Sequence, residues 1–362
     1  MNHNRRRFLQ RSAQATASLG LFSQLPLLAS TRQSKPLGVA LLGLGYYSGD
    51  LLAPALQLTE HCELRGIVTG SPEKIPVWQK KYGIADANVY NYDNLDTIAN
   101  NDDIDIVYVV TPTGTHERFS VAAAEAGKHV WCEKPMAMDV NECQRIMDAC
   151  DKNKVKLSIG YRMQHEPNTQ TVMKYAKTKP YGAIQNVISE AGFAGSGPTG
   201  WRANPALGGG ALYDMGVYTI NGLRYATGLE PTEVRSAQRT IPDNLEVDTT
   251  TTYQLAFPNG ILGDAKTSNV EKVNLLRVNA ADGWYQLSPM QSYTGVQGKT
   301  SDGKQLDKPI NNQQARQMDN DALAIINDTP VLVPGIEGLK DIRIVNAIME
   351  ADKTGKVVKI RG

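Results

Sequence analysis

The run Gly38-Val39-Ala40-Leu41-Leu42-Gly43 constrains the fold more than any other stretch of this chain. It is apolar without alternation and ends in glycine, the pattern of a short strand buried on both faces of a parallel sheet. Similar texture recurs at 64–68, 104–110, 128–132 and 155–159, with helical patterning between the runs at 50–58, 73–82, 116–126 and 140–152. Strands alternating with helices at this spacing predict a doubly wound parallel sheet with right-handed crossovers. After Gly160 the texture changes. A helix near 166–177 and a strand near 184–190 lead into a loop rich in Gly, Pro and Trp from 194 to 207. Gly208-Gly209-Gly210 then opens a further helix. About five β-rich segments between 232 and 287 read as a largely antiparallel sheet with one face against helices. A long polar loop at 293–310 and helices at 313–326 and 339–354 follow. The expected fold class is α/β: an N-terminal doubly wound parallel sheet, then a C-terminal α+β domain with a large, mostly antiparallel sheet. The boundary falls near residue 160, and the last helix is placed to fold back on the first domain.

With 362 residues the chain has room for two such domains. Its first thirty residues stand apart. Asn4-Arg5-Arg6-Arg7-Phe8-Leu9-Gln10 precedes a mildly apolar run from Ala13 to Leu28 and small residues at Ala29-Ser30. This resembles a twin-arginine export signal, so a periplasmic location is expected. Leu27 or Leu28 at the −3 position makes a poor cleavage site, which leaves retention as an anchor open. The fold is therefore sought in 31–160 and 161–362. Loss of Arg5, Arg6, Arg7 and Arg11 would turn the formal charge of +1 negative. No basic stripe would remain to neutralise a phosphate backbone, which argues against nucleic acid as a partner. No stretch approaches the eighteen or so unbroken apolar residues of a membrane span. Cys62, Cys132, Cys143 and Cys150 show no metal-ligand spacing and read as structural thiols. No metal is expected.

Gly43-Leu44-Gly45-Tyr46-Tyr47-Ser48-Gly49 follows the first strand and opens a helix. Glycines let backbone N–H groups approach a pyrophosphate at a helix N-terminus. The spacing is Gly-x-Gly-x-x-x-Gly, and its place at the head of a βαβ series marks a dinucleotide loop with Gly43, Gly45, Tyr46 and Tyr47 as contacts. An NAD enzyme offers an acid to the ribose 2′-OH at the end of the second strand. Here Val68-Thr69-Gly70-Ser71-Pro72-Glu73-Lys74 has none directly at that end. Thr69, Ser71 and Lys74 are suited to a 2′-phosphate, so NADP is expected over NAD, unless Glu73 points inward. The same residues also read as a helix start, with Ser71 as N-cap and Pro72 in the first turn. Thr111-Pro112-Thr113-Gly114-Thr115-His116 follows the third strong strand, at the crevice where such sheets bind ligands. Thr111, Pro112, Thr113 and His116 are its candidate cofactor contacts.

Glu133-Lys134-Pro135 ends the next strand, and Asp214 and Tyr218 lie four apart on the helix after the glycine run. Residues four apart share a helix face. An ammonium beside a phenol favours the phenolate, so Lys134, Asp214 and Tyr218 make a proton-transfer site suited to hydride transfer at a carbinol carbon. Glu133 and Arg162 are further cofactor candidates. Arg162, Trp201 and Arg202 join the three as substrate contacts, since an exposed Trp suits the apolar face of a sugar. His165, in Gly160-Tyr161-Arg162-Met163-Gln164-His165, reads more as a satisfied structural histidine.

The glycine loop, the Thr-Pro-Thr-Gly-Thr-His turn, Cys132-Glu133-Lys134-Pro135, Gly160-Tyr161-Arg162 and the run from Gly208 to Tyr218 together resemble the Gfo/Idh/MocA oxidoreductases. The likeness extends from about Leu37 to the C-terminus. It implies a Rossmann domain followed by a domain whose open sheet serves dimerisation, hence a homodimer or homotetramer. It implies that the lysine of Glu-Lys-Pro and a Tyr or His four after the Asp carry proton transfer, which match Lys134, Asp214 and Tyr218. The proline after the lysine is often cis in such proteins. The activity implied is NADP-dependent oxidation of a sugar or polyol CH–OH group. A second reading stays open: a redox-neutral glycoside hydrolase that oxidises C3 transiently with bound NAD.

Overall fold

The computed structural model describes residues 35–361, so the expected export segment at 1–30 lies outside the described residues. Strand β1 (Leu37–Leu42) is the centre of a six-stranded sheet, and Val39 to Leu42 are fully buried. On one side lie β2 (Cys62–Val68) and then β3 (Val89–Tyr90); on the other lie β4 (Ile106–Val109), β5 (His129–Cys132) and β6 (Leu157–Ile159). All of these pairings are parallel. Helices α1 (Ile75–Tyr82), α2 (His116–Glu125) and α3 (Val140–Lys152) follow β2, β4 and β5 in the chain. The strand order reverses between β1 and β4, and that switch point leaves a crevice beyond their carboxyl ends.

Local differences from the expected elements have physical causes. The helix expected at 50–58 starts earlier, as a π-helical stretch at Tyr47–Leu52 that passes into a single turn, Ala53–Ala55. A π turn holds more residues than an α turn, which accommodates the extra residue in the Gly43/Gly45/Gly49 spacing. Ser71 makes no side-chain cap. Pro72–Lys74 forms a 3₁₀ turn before α1 instead. The short edge strand β3 was not expected, because two residues carry too little pattern to read.

Beyond β6 come α4 (Pro167–Thr178), β7 (Ile184–Gly192) and α5 (Gly216–Thr227), which is buried along its whole length. Strands β8 (Glu233–Thr240), β9 (Thr250–Ala256), β10 (Leu262–Ser268), β11 (Asn274–Ala280) and β12 (Gly283–Leu287) match the five expected segments. The stretch read as a polar loop also holds β13 (Gly298–Thr300) and β14 (Gln305–Leu306). With the terminal β15 (Val358–Lys359), the order is β14-β13-β12-β11-β7-β10-β9-β8-β15. Only β7 and β10 pair in parallel among these strands.

Two late helices tie the sheets together. Ala315, Met318 and Ala322 of α6 (Gln313–Ile326) join the apolar cluster formed by Val39, Leu41, Ile67, Tyr108 and Trp131 of the first sheet. Helix α7 (Gly335–Thr354) packs on α3 and on β8. Its Asp341 and Glu337 accept from the buried Arg224 of α5 at 2.8 and 2.9 Å. Burial pushes the Asp341 carboxyl up to about 6, while Arg224 works against that rise. All four cysteines are buried and unbonded to one another. Among the described residues no helix is long and apolar enough to cross a membrane.

Candidate active site

The crevice is built first by backbone. Gly43 has φ +96°, a conformation that disfavours a side chain, and a Cβ there would lie 2.8 Å from the Val110 carbonyl oxygen. Glycine is what lets β1 end against β4. A cleft of about 320 Å³ opens at this point. Of the residues expected at the nucleotide, Gly43, Gly45, Tyr46, Tyr47, Thr69, Ser71, Lys74, Thr111, Pro112, Thr113, Glu133 and Lys134 all line it, as do Trp201, Arg202 and Asp214 from the far half of the chain.

At the β2 end, Ser71 N–H donates to Thr69 Oγ1 at 3.0 Å, and Lys74 Nζ donates to the Leu44 carbonyl at 2.9 Å. Lys74 is thus held over the glycine loop. Glu73 is exposed and is not part of the lining. Tyr92 also walls this end and was not foreseen. Its ring occupies the space above Gly70, where a Cβ would come within 2.7 Å of it.

His116 does not reach the cleft wall. It is buried, with Nδ1 2.8 Å from the Pro135 oxygen and Nε2 2.7 Å from the Thr111 oxygen. It braces the strand-end turn against the Lys134-Pro135 segment. Burial draws its pKa down, against the two carbonyls. Glu133 is buried and accepts from Tyr108 Oη at 2.6 Å and from the Lys134 N–H at 3.1 Å. Burial raises its carboxyl pKa, only partly opposed by Tyr108 and Lys134. Gly160 makes room for it, since a Cβ there would fall 2.6 Å from Glu133 Oε1.

The two halves of the chain meet at Lys134. The Lys134–Pro135 bond is cis. Lys134 Nζ donates to the Asp214 backbone carbonyl at 2.8 Å, lies 3.7 Å from Asp214 Oδ1, and sits 4.8 Å from the Tyr218 ring centroid. Asp214 and Tyr218 are not on one unbroken helix. Asp214 ends the short turn Ala211–Asp214, Met215 departs from ideal helical angles at φ −111°, and Tyr218 belongs to α5. Both still arrive at the same ammonium, but Tyr218, expected as a substrate contact, is buried and is not among the residues lining the cleft, unlike Lys134 and Asp214. The ammonium rests on the face of the Tyr218 ring, a cation–π arrangement. Asp214 Oδ2 accepts from Arg202 Nε at 3.1 Å, and the Arg202 guanidinium lies 4.4 Å from the Trp201 ring centroid. Trp201, Arg202, Asp214 and Lys134 therefore form a linked wall.

Arg162 stands behind this wall. It is buried, with Nη1 donating to the Ser292 carbonyl at 3.0 Å and Nη2 to Gln291 Oε1 at 2.8 Å. Its guanidinium lies 5.4 Å from the Tyr218 ring centroid and 4.6 Å from that of Tyr293. Tyr293 lines the cleft and comes from the segment read as a polar loop; no periodicity marks it. Tyr47 of the glycine loop lies 6.2 Å from Tyr293, ring to ring. His165 is buried away from the cleft, with Nδ1 3.1 Å from Asn320 Nδ2, and burial lowers its pKa to about 3. Among the described residues no cluster of metal-ligating side chains occurs.

Residues 37–161 match a family model described as an oxidoreductase family with an NAD-binding Rossmann fold, and residues 169–285 match a GFO/IDH/MocA C-terminal domain. Among solved structures, the aldose-aldose oxidoreductase from Caulobacter crescentus, complexed with glycerol, superposes with a TM-score of 0.85 at 36% identity, covering 90% of this chain and 100% of that one. D-xylose 1-dehydrogenase [NADP(+)] of Haloarcula marismortui is 24% identical over 95% of this chain and 99% of its own. D-xylose 1-dehydrogenase (NADP(+)) 2 of Haloferax volcanii is 26% identical over 85% and 94%.

Proposed function

Because the chain belongs to the Gfo/Idh/MocA oxidoreductase family, we propose that it is an exported NADP-dependent oxidoreductase transferring hydride at the hydroxyl-bearing carbon of a pyranose sugar. Within the family it resembles glucose–fructose oxidoreductase in having Tyr at the position of Tyr218. The observation that carries the reading is the meeting of Lys134, Asp214 and Tyr218 at the Gly43 cleft, where Lys134 and Asp214 line the space and the buried Tyr218 touches Lys134 from outside that lining. The aldose and xylose activities named for the relatives support a sugar.

The donor set fits the nucleotide. Gly43 and Gly45 allow backbone approach to a pyrophosphate, while Lys74, Ser71 and Thr69 offer a cation and hydroxyls to a 2′-phosphate, with Glu73 off the cleft. When bound, NADP supplies the carbon that accepts the hydride. Lys134 orients the sugar hydroxyl and holds charge near Tyr218. Tyr218 takes the hydroxyl proton as the carbinol C–H is lost, and returns it in the reverse direction. Asp214 fixes Lys134 and Arg202, and Trp201 offers an apolar face to the ring. The uncovered face of the nine-stranded sheet, with Ile188, Thr252, Gln254, Asp264 and Lys266 along a shallow trough, supports a homodimer or homotetramer. The Arg5-Arg6-Arg7 segment supports export to the periplasm.

The test is to purify the mature protein and screen aldoses for NADP reduction, with nucleotide content read by mass spectrometry. Reduction of NADP by at least one aldose is expected. Chromophore release from aryl glycosides with no net nucleotide change would overturn the reading in favour of hydrolysis.

A further inference from the structure

We propose that Arg162 is a positioning residue for proton transfer: a buried guanidinium set beside Tyr218 and left without a carboxylate ion-pair partner, so that its charge supports the Tyr218 phenolate. The inference rests on the reading of Tyr218 as the proton acceptor. It assigns Arg162 a role away from nucleotide and sugar, in contrast to the contact expected from the sequence.

The argument begins with what a buried cation needs. An uncompensated charge in a protein interior is costly, and natural chains pair it or place it where charge develops. Arg162 is 1% exposed. Its hydrogen bonds run to neutral groups: the Ser292 carbonyl, Gln291 Oε1, Gln313 Oε1 and the Met163 thioether. Among the described residues no carboxylate lies within ion-pair distance of it. Contrast Arg224, equally buried, which has Glu230, Glu337 and Asp341 around it. The chain builds a full carboxylate cage for one buried arginine and neutral amides for the other. With no carboxylate in an ion pair with it, the Arg162 field acts on its ring neighbours and also reaches the buried Glu133, whose upward pKa shift it opposes together with Tyr108 and Lys134.

Those neighbours are phenols. Tyr218 and Tyr293 lie on the guanidinium, and Tyr47 lies beside Tyr293. The other charged or titratable groups around Tyr218 are Lys134, above its ring, Asp214, which is tied to Lys134 and Arg202, and Glu133, which is bonded to Tyr108 and the Lys134 N–H. Lys134 must also serve the substrate hydroxyl, so its field at Tyr218 changes during the reaction. Arg162 is fixed by four partners and is shielded from solvent, so its field is constant. A fixed charge aimed where charge develops is the electrostatic arrangement that lowers a barrier without reorganisation. Tyr47 and Tyr293 sit under the same field, but burial raises both of their pKa values, as do the Glu133 charge and the neighbouring tyrosines.

The experiment places a counter-ion on Arg162 without touching Tyr218. Gln291→Glu is isosteric and puts a carboxylate where Nη2 now donates to an amide. The rate is measured against pH for wild type, Gln291→Glu, Arg162→Gln and Arg162→Lys. Tyrosinate absorbance is followed over the same range, with the Tyr218 signal taken as wild type minus Tyr218→Phe. In Gln291→Glu, the limb on which activity rises with pH should move up by about one pH unit, with roughly tenfold slower turnover below it. The tyrosinate difference should move with it. Arg162→Gln should shift both further in the same direction, and Arg162→Lys, which keeps the charge, should shift them less than Arg162→Gln does. A folded Gln291→Glu that binds NADP as wild type does, with an unmoved tyrosinate difference, overturns the proposal. The spectroscopic reading needs no sugar, so a failure to find the substrate leaves this result decisive.

Discussion

Lys134 has three N–H donors, and one is committed to the Asp214 carbonyl at 2.8 Å. Because Lys134 also lines the cleft, a sugar hydroxyl can be held there without breaking that bond. Tyr218→Phe removes the proton acceptor but keeps the ring on which both Lys134 and Arg162 rest, so its fold should persist. Turnover is expected to fall about a hundredfold or more, with NADP affinity nearly unchanged; stopped-flow hydride transfer and nucleotide titration check both. Lys134→Ala should do the same, with a larger rise in KM for the sugar. At the other end of the cleft, Lys74→Ala should raise KM for NADP about tenfold, the loss of one charge-assisted contact, and leave KM for NAD within about twofold. Equal losses with both nucleotides would show that Lys74 holds the glycine loop through the Leu44 carbonyl and does not read the 2′-phosphate. These residues were legible because short motifs at strand ends carry their own geometry. Arg162 and His116 were legible as part of the region but not in role. A sequence shows that a side chain emerges near a crevice, and only packing shows whether it faces into it or braces it from behind. Tyr92 and Tyr293 carried no signal, since a lone aromatic in a polar segment has neither periodicity nor a motif.

At the scale of elements, the strand-helix alternation and the five central strands of the second sheet were readable because each buries a continuous or alternating apolar face. The helix at Val140–Lys152 has a side-chain N-cap, Asp139, and could be bounded from sequence alone. Elements set by neighbours were not: the π-helical entry at Tyr47–Leu52, the break at Met215 and the two short strands within 293–310. The most informative contact between elements was also invisible in sequence. The loop that presents Trp201 and Arg202 turns at Pro205–Leu207 against the strand-end turn at Thr113–Thr115, and a Cβ on Gly114 would stand 2.2 Å from the Ala206 carbonyl oxygen. Backbone against backbone has no soft side chain to yield. Gly114→Ala should therefore displace the Trp201/Arg202 loop rather than the β4 turn, which is pinned by His116 at Thr111. KM for the sugar should rise about tenfold, a loss of the order of one good contact, while NADP binding changes little. If nucleotide affinity falls more than sugar affinity, the β4 turn is the part that yields.

For the molecule as a whole, α6 fastens the second half of the chain to the first sheet, and it does so with a buried acid in the seam. Asp321 of α6 is fully buried, and desolvation pushes its carboxyl up to about 7, only partly opposed by Ser158 of β6. The sign of the stability effect follows from where the proton resides. Unfolded, Asp321 ionises near pH 4; folded, it keeps its proton to about pH 7. Between these values the folded state binds more protons than the unfolded one, so stability falls as pH rises and the loss is complete above about pH 7. Asp321→Asn removes the ionisation and keeps the size and the neutral hydrogen-bonding character of the protonated acid. Thermal melting of the two proteins should coincide at about pH 4 and diverge as pH rises. At about pH 8 the variant should be more stable by roughly 2–4 kcal/mol, several degrees in Tm. Because α6 also supplies Gln313, a partner of Arg162, and Gln317, which donates to Tyr108 Oη at 3.2 Å, loosening this seam at high pH would reach the site from behind. The wild-type enzyme should then lose activity on warming at alkaline pH before the variant does. Parallel melting curves at every pH would show that Asp321 stays charged in the folded protein and that its ionisation does not load the α6 seam.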